Sequence, residues 1–327
     1  MFPMEKLDLK DRKILFELDL NSRAPFSQIA KKVGLSKEVV NYRVNSLKRR
    51  GVIADFYTVI DVIKLGFLPA RIFLRFSNTT PELEAEITDF LVSNQNIAWV
   101  VSVQGSWDMN FIFWAESIEH FDSFWNSFLE KYRPFIEAKW ISFFTKIHNF
   151  HKAFLLEKKV DEAPPLVVGG TGKPKLDSTD LKILSLISSN ARMPVIELAK
   201  KTGVSEKVVL YRLKRLIKEK IILGFKTRLN LERIGFLYYK VHLTLKNAEQ
   251  KRYGQLVEFC RFHPNVVYID ELIGGADFEF ELMAKSNEEF RQVFKEVRHK
   301  FPDIIKNFDT LLYVNEFKLI WFPGKSG

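Results

Sequence analysis

The chain is written twice. Shifted by 169 residues, the sequence falls on itself without a gap: Leu7 and Asp8 land on Leu176 and Asp177, Asn21 on Asn190, Gly66 and Phe67 on Gly235 and Phe236. Between residues 7 and 56 about 20 of the 50 positions are identical to their partners. A period of this length is far beyond that of a solenoid repeat. It is a whole protomer fused to a second copy, so whatever one copy folds into, the other must also approximate.

Length and charge sharpen the picture. The 327 residues suffice for two to four domains with cores. With 46% hydrophobic and 28% charged residues the chain is globular rather than fibrous or disordered. The single cysteine, Cys260, cannot form an internal disulfide, and its apolar helical surroundings predict a packing thiol. No run reaches the roughly 18 apolar residues of a membrane span, and a cytoplasmic location is expected. The net charge of +10 is unevenly spread. Residues 5–55 carry 12 Lys/Arg against 7 Asp/Glu, and residues 174–228 carry 13 against 5. Residues 67–150 and 236–322 sum to −4 and −1. Each copy thus pairs a basic first third, suited to phosphate, with a mildly acidic remainder.

The basic segment reads as three helices. Asp8 caps the first, with Leu9, Ile14, Leu15 and Leu18 on one face; Pro25 opens the second; Gly34 allows a sharp turn; Ser36 caps a third that ends at Gly51. Copy two repeats the pattern with Asp177, Pro194, Gly203 and Ser205, but Lys220 stands in place of Gly51. Two helices joined by a short glycine-containing turn form a helix-turn-helix, whose second helix enters the major groove. Val40, Val44 and Leu47 must face the core. The residues expected at DNA are therefore Ser36, Lys37, Glu38, Asn41, Tyr42, Arg43, Asn45, Lys48 and Arg49 in the first copy. In the second they are Ser205, Lys207, Leu210, Tyr211, Arg212, Lys214 and Arg215. Asn41 can pair bidentately with adenine, whereas Leu210 offers only apolar contact, so the two faces need not read the same bases. A β-rich stretch after each third helix reads as a wing.

Residues 67–149 then follow the order βαββαβ, as do the equivalent residues of copy two, which is the order of a ferredoxin-like sandwich. Helices cover one face of such a sheet. The other face, rich in aromatics here, requires a partner sheet, and the fusion supplies one. The fold class expected is α+β. Winged helix-turn-helix domains are placed at 1–62 and 175–231, ferredoxin-like domains at 63–157 and 232–327, and a linker at 158–174.

These elements together resemble the Lrp/AsnC (feast/famine) transcriptional regulators. The matching segments are LDLKDRKIL, NSRAP, GLSKEVVNYRVNSLKRRGVI, LGF and QGSWD, repeated as LDSTDLKIL, NARMP, GVSEKVVLYRLKRLIKEKII, IGF and IGGAD. The resemblance implies RAM-type second domains and a small effector, such as an amino acid, at the G-x-x-D loops. Those loops are Gly105 with Asp108, and Gly274 with Gly275 and Asp277. Tight hairpins favour the same residue types. Trp107 lies in the first loop where the second has Ala276, making the second the better candidate. Members usually carry one such unit; the fusion implies an internal pseudo-dimer, with further homo-oligomers expected.

Other signals fail. GGTGKP at 169–174 lacks the spacing of a phosphate loop and reads as flexible linker. The six histidines show no ligand pattern, and no nucleophile–base constellation emerges, so no metal, no cofactor and no enzyme activity is expected. The expected partner is double-stranded DNA, with no membrane. Two alternatives stand beside this reading. One is a DNA-silent sensing or architectural protein. The other is a tetrapyrrole enzyme, since siroheme decarboxylases resemble this architecture; their His and Arg would be expected around the second and third strands, which contain neither here.

Overall fold

Hydrogen-bonding side chains start the helices where the sequence places them. Asp8 accepts from the Asp11 amide at 2.7 Å and opens α1 (Leu9–Leu20); Pro25 precedes α2 (Phe26–Val33); Ser36 accepts from the Val39 amide and opens α3 (Lys37–Arg49). The computed structural model describes residues 4–157, 164–172, 174–246 and 249–323. Ile14, Leu15 and Leu18 are buried, but Leu9, read from periodicity onto the same face, is 54% exposed. The equivalent helices of the second unit are α6 (Ser178–Ser188), α7 (Val195–Thr202) and α8 (Glu206–Lys218). Lys220 holds the left-handed φ of +52° that Gly51 holds at +71° in the first unit.

The wings are shared. Strands β1 (Ile53–Ile60) and β7 (Ile222–Leu229) pair antiparallel with each other across the two units. Each packs on the other unit's helices: the Thr58 hydroxyl donates to the Ile187 carbonyl, and Thr227 donates to Leu18. Likewise the Ser22 amide donates to Phe225 and the Ala191 amide to Phe56. Every one of these bonds maps onto its counterpart under the 169-residue shift. The interface is isologous, as in a twofold dimer. Arg23 and Arg192, also related by the shift, each reach across it to backbone carbonyls around residues 191–193 and 22–24.

The second domains follow the expected order. Unit one has β2 (Leu68–Phe76), α4 (Pro81–Ser93), β3 (Ile97–Gln104), β4 (Met109–Ala115), α5 (Ile118–Tyr132) and β5 (Ile136–Asn149). Between β5 and α6 lies β6 (Leu166–Val168). Unit two has β8 (Leu237–Leu245), α9 (Gln250–Phe262), β9 (Val266–Ile273), β10 (Phe278–Ala284), α10 (Asn287–Lys300) and β11 (Ile305–Leu319). Each forms a four-stranded antiparallel sheet, ordered β5-β2-β4-β3 and β11-β8-β10-β9. The two sheets join at both edges, β3 to β11 and β5 to β9, closing a ring of eight strands. Gln104 pairs with Leu312 and Ile273 with Phe143, again related by the shift. Phe111, Phe124 and Phe128 pack sheet against helix in unit one; Phe280, Val293 and Phe294 do so in unit two. Cys260 is fully buried there, and burial pushes its thiol well up.

The stretch read as a flexible linker is partly ordered. Strand β6 adds to the edge of β5, and the amides of Gly169 and Gly170 donate to the Asp61 carboxylate at 3.1 and 2.7 Å. Residues 158–163 and 173 of that stretch lie outside the described residues.

Candidate nucleic-acid interface

The third helix of each basic domain presents the expected face. Val40, Val44 and Leu47 are buried, as are Val209, Leu213 and Leu216. Lys37, Glu38, Asn41, Tyr42 and Asn45 point to solvent on α3, and Lys207, Leu210, Tyr211 and Lys214 on α8. Tyr42 and Tyr211 are 67% and 66% exposed, far beyond what a packing role for so large a ring requires. The Asn45 amide donates to Asn41 Oδ1 at 3.2 Å, so the two asparagines form one polar patch.

Other members of the expected set are engaged inside the domain. Ser36 and Ser205 cap their helices through the Val39 and Val208 amides. Arg43 binds Asp8 and Asp11, each at 2.7 Å; those hydrogen bonds raise its pKa. Arg212 binds Asp177 and Asp180 at 2.7 and 2.8 Å and is raised for the same reason, and Arg215 also binds Asp180. These arginines brace the third helix on the first rather than extending toward phosphate. Lys48 lies 4.7 Å from the Phe56 ring centre, and its pKa is lowered by burial and by Arg192. Arg49 remains exposed at the end of α3.

The G-x-x-D loops sit where the two sheets meet. A Cβ on Gly105, at φ +140°, would lie 3.0 Å from the Thr310 carbonyl oxygen of the other unit; one on Gly274 would lie 3.1 Å from that of Ile141. The glycines therefore permit the close approach of strands across the ring. The aspartates bridge to backbone: Asp108 accepts from the Phe76 amide and Asp277 from the Leu245 amide, both at 2.7 Å. Trp107 packs on Phe73 and Trp140, and Trp140 in turn donates to the Gly274 carbonyl at 2.5 Å. The second loop thus lacks its own indole but is met by one from unit one. The Gly275 side of that loop faces Glu279, which accepts from the Ala276 amide at 3.0 Å.

Between the sheets lies an ionic cluster that the strand pattern concealed. Arg71 on β2 reaches Asp270, Glu279 and Glu281 at 2.7, 3.2 and 3.2 Å; Lys240 on β8 reaches the same three at 2.6, 2.8 and 3.4 Å. All five side chains are at most 4% exposed. Tyr238 donates to Glu281. Burial raises the carboxyl of Glu281, while against burial Lys240 and Arg71 hold Asp270 down to about 2. His242 lies between Phe73 and Trp140, and burial lowers its pKa to about 4. Alternating FEFEL reads as a strand with glutamates toward water. The shift by 169 holds the missed clue, because it superposes Arg71 on Lys240, a cation at one strand position in both copies.

Known proteins divide in what they match. A winged helix-turn-helix DNA-binding model fits residues 7–54 and again 176–222. A proline dehydrogenase transcriptional activator of Rhodobacter capsulatus is 29% identical over 130 residues, which is 39% of this chain and 84% of that protein. The transcriptional regulator LrpA of Pyrococcus horikoshii is 29% identical over 113 residues, 35% of this chain and 79% of its own. Each relative spans about one of the two units. Each of the two units is similar to regulators of the Lrp/AsnC type. Among solved structures, the siroheme decarboxylase NirDL matches this chain nearly throughout, with a TM-score of 0.64 at 14% identity, covering 97% of this chain and 94% of that one. That likeness is one of fold, but it overturns the expectation that the chain is not an enzyme, because an enzyme carries the same tandem architecture. The lack of His and Arg on the second and third strands does not separate the two either: Arg71 and His242 enter the same interior from the first strands. No described helix is long and apolar enough to cross a membrane, and no group of described residues could hold a metal ion.

Proposed function

We propose that the chain is a sequence-specific, DNA-binding transcription regulator of the cytoplasm, acting as a covalent pseudo-dimer. The carrying observation is the pair of solvent-facing third helices held by one pseudo-twofold ribbon, β1 with β7. Such a pair suits two half-sites on one duplex. Asn41, Tyr42 and Asn45 read one half-site; Leu210, Tyr211 and Lys214 read the other, with apolar contact in place of an amide. Lys37, Arg49, Lys207 and Lys214 supply phosphate contacts and a steep salt dependence. An amino-acid effector at the G-x-x-D loops, and assembly into larger homo-oligomers, extend the same reading. Selection of genomic fragments by the purified protein, followed across salt, tests it. An enriched, unequal pair of half-sites is expected; binding without sequence preference would count against it.

A second reading, an enzyme acting on a tetrapyrrole, is supported by the end-to-end fold likeness to NirDL, which has also been solved with an iron-uroporphyrin III analogue. Titration with iron-uroporphyrin separates the two. A saturable change in the visible spectrum, together with release of carbon dioxide when siroheme is supplied instead, would favour the enzyme.

A further inference from the structure

A cavity of about 200 Å³ lies between the wing ribbon and the two sheets, away from the third helices and bordering the ionic cluster at Arg71, Asp270 and Glu281. Its walls come from both units: Tyr57 on β1, Leu229 on β7, Trp99 and Trp114 on β3 and β4, Tyr268 on β9. Aromatic rings make up much of the wall. Tyr57 stacks on Trp321 with centroids 3.8 Å apart, and Trp99 meets Tyr313 edge-on at 4.9 Å. A cavity of about 150 Å³ with apolar walls holds a benzene ring, so this one takes a single ring with a small substituent. It is below the roughly 300 Å³ at which pockets for larger cofactors begin.

Two donors on its wall are unsatisfied. Trp114 Nε1–H and Arg71 Nε–H are both buried and make no hydrogen bond. Trp114 is 7% exposed and Arg71 3%. The Arg71 Nη atoms are held by the carboxylates of unit two, which leaves the Nε edge free of partners. Buried donors are almost always paired, and one left alone is costly. Their complement is an acceptor, and a carboxylate placed there joins a wall on which Arg71, Lys152 and Arg228 stand beside Asp270, Glu281 and Glu316, with Lys152 held by Asp19. From ring-shaped walls and two orphan donors we infer that this cavity binds a small planar aromatic carboxylate, its ring among Tyr57, Trp99 and Tyr268 and its carboxylate at Trp114 and Arg71.

Because the ribbon strands carry part of the wall, an occupant would touch the element that holds both helix-turn-helix domains. Binding itself is read on the protein alone, so the test does not depend on whether the chain binds DNA. Benzoate and phenylacetate are titrated against the full chain by tryptophan fluorescence and thermal melting, with toluene and cyclohexanecarboxylate as controls. Saturable quenching and a rise in Tm are expected for the two aromatic acids and not for the controls. Trp114→Phe keeps the ring and removes the donor, and should weaken benzoate about tenfold. Ala98→Phe, which fills the space, should abolish binding. No response to either acid at millimolar concentration, from protein with an intact melt, would overturn the proposal. So would equal binding of toluene, or of the saturated acid, or an unchanged affinity in Trp114→Phe.

Discussion

Lys220 carries a backbone shape that its side chain opposes. At φ +52° an ordinary residue costs about 1–2 kcal/mol, partly offset because glycine loses more entropy on folding. Lys220→Gly should therefore raise stability by about 0.5–1 kcal/mol, measured by thermal melting, with DNA affinity falling only by one peripheral charge. Asp19 is the opposite case. It is fully buried, with Lys152 at 2.5 Å and Lys226 at 3.3 Å, and against the upward pull of burial these lysines lower it to about 2. Burial likewise lowers Lys226 to about 8. Asp19→Asn would leave two buried cations without a counter-charge, and a loss of about 3–5 kcal/mol is expected in urea unfolding. A loss below 1 kcal/mol would mean that Lys226 is neutral and contributes little.

The third helices separate two kinds of arginine. Arg43→Ala should lower stability by up to about 1 kcal/mol through the lost brace to Asp8 and Asp11, with sequence preference unchanged. Arg49→Ala should leave the melt unchanged, weaken all sequences alike, and reduce the salt slope by about one. These helices were legible in the sequence because caps and periodicity are local: Ser36, Val40, Val44 and Leu47 suffice to orient α3. The partner of each wing was not legible. Strand propensity marks Ile53–Ile60 as extended, but β1 pairs with β7, some 170 residues away, and nothing local encodes that choice. The brace was missed because Arg43 and Asp8 lie 35 residues apart on different helices. The interior ions were missed because alternation fixes which residues share a face, not which face is wet.

Taken whole, the molecule stores its acid sensitivity between the sheets and beneath the ribbon. Burial lowers His242 and His151 from 6.5 to about 4, so the folded protein keeps both neutral. Between those values the unfolded chain binds more protons, and stability must fall as pH drops through that window. For His242 the full effect is on the order of 3 kcal/mol. Glu281, raised by burial, acts in the opposite sense above its unfolded value near 4.5, and Asp270 adds a loss only from 3.8 down to about 2. Urea midpoints should thus decline from pH 6.5 toward 4.5. His242→Phe, which installs the residue that Phe73 places at the related position, should flatten that decline. An unchanged slope would move the effect to His151.

The ionic cluster also acts as a ratchet. Its two cations occupy equivalent positions, one per unit, but all three carboxylates stand on unit two, where unit one has Val101, Asn110 and Ile112. Two copies of unit one would bury Arg71 against itself with no counter-ion, and two copies of unit two would crowd six carboxylates around two lysines. In the fused chain, replacing Arg71 or Lys240 alone strands buried carboxylates, and two copies of unit two would need several substitutions before they could pair. Fusion keeps the correct halves together at high effective concentration; the interior makes each half's cation answer to carboxylates that only unit two supplies.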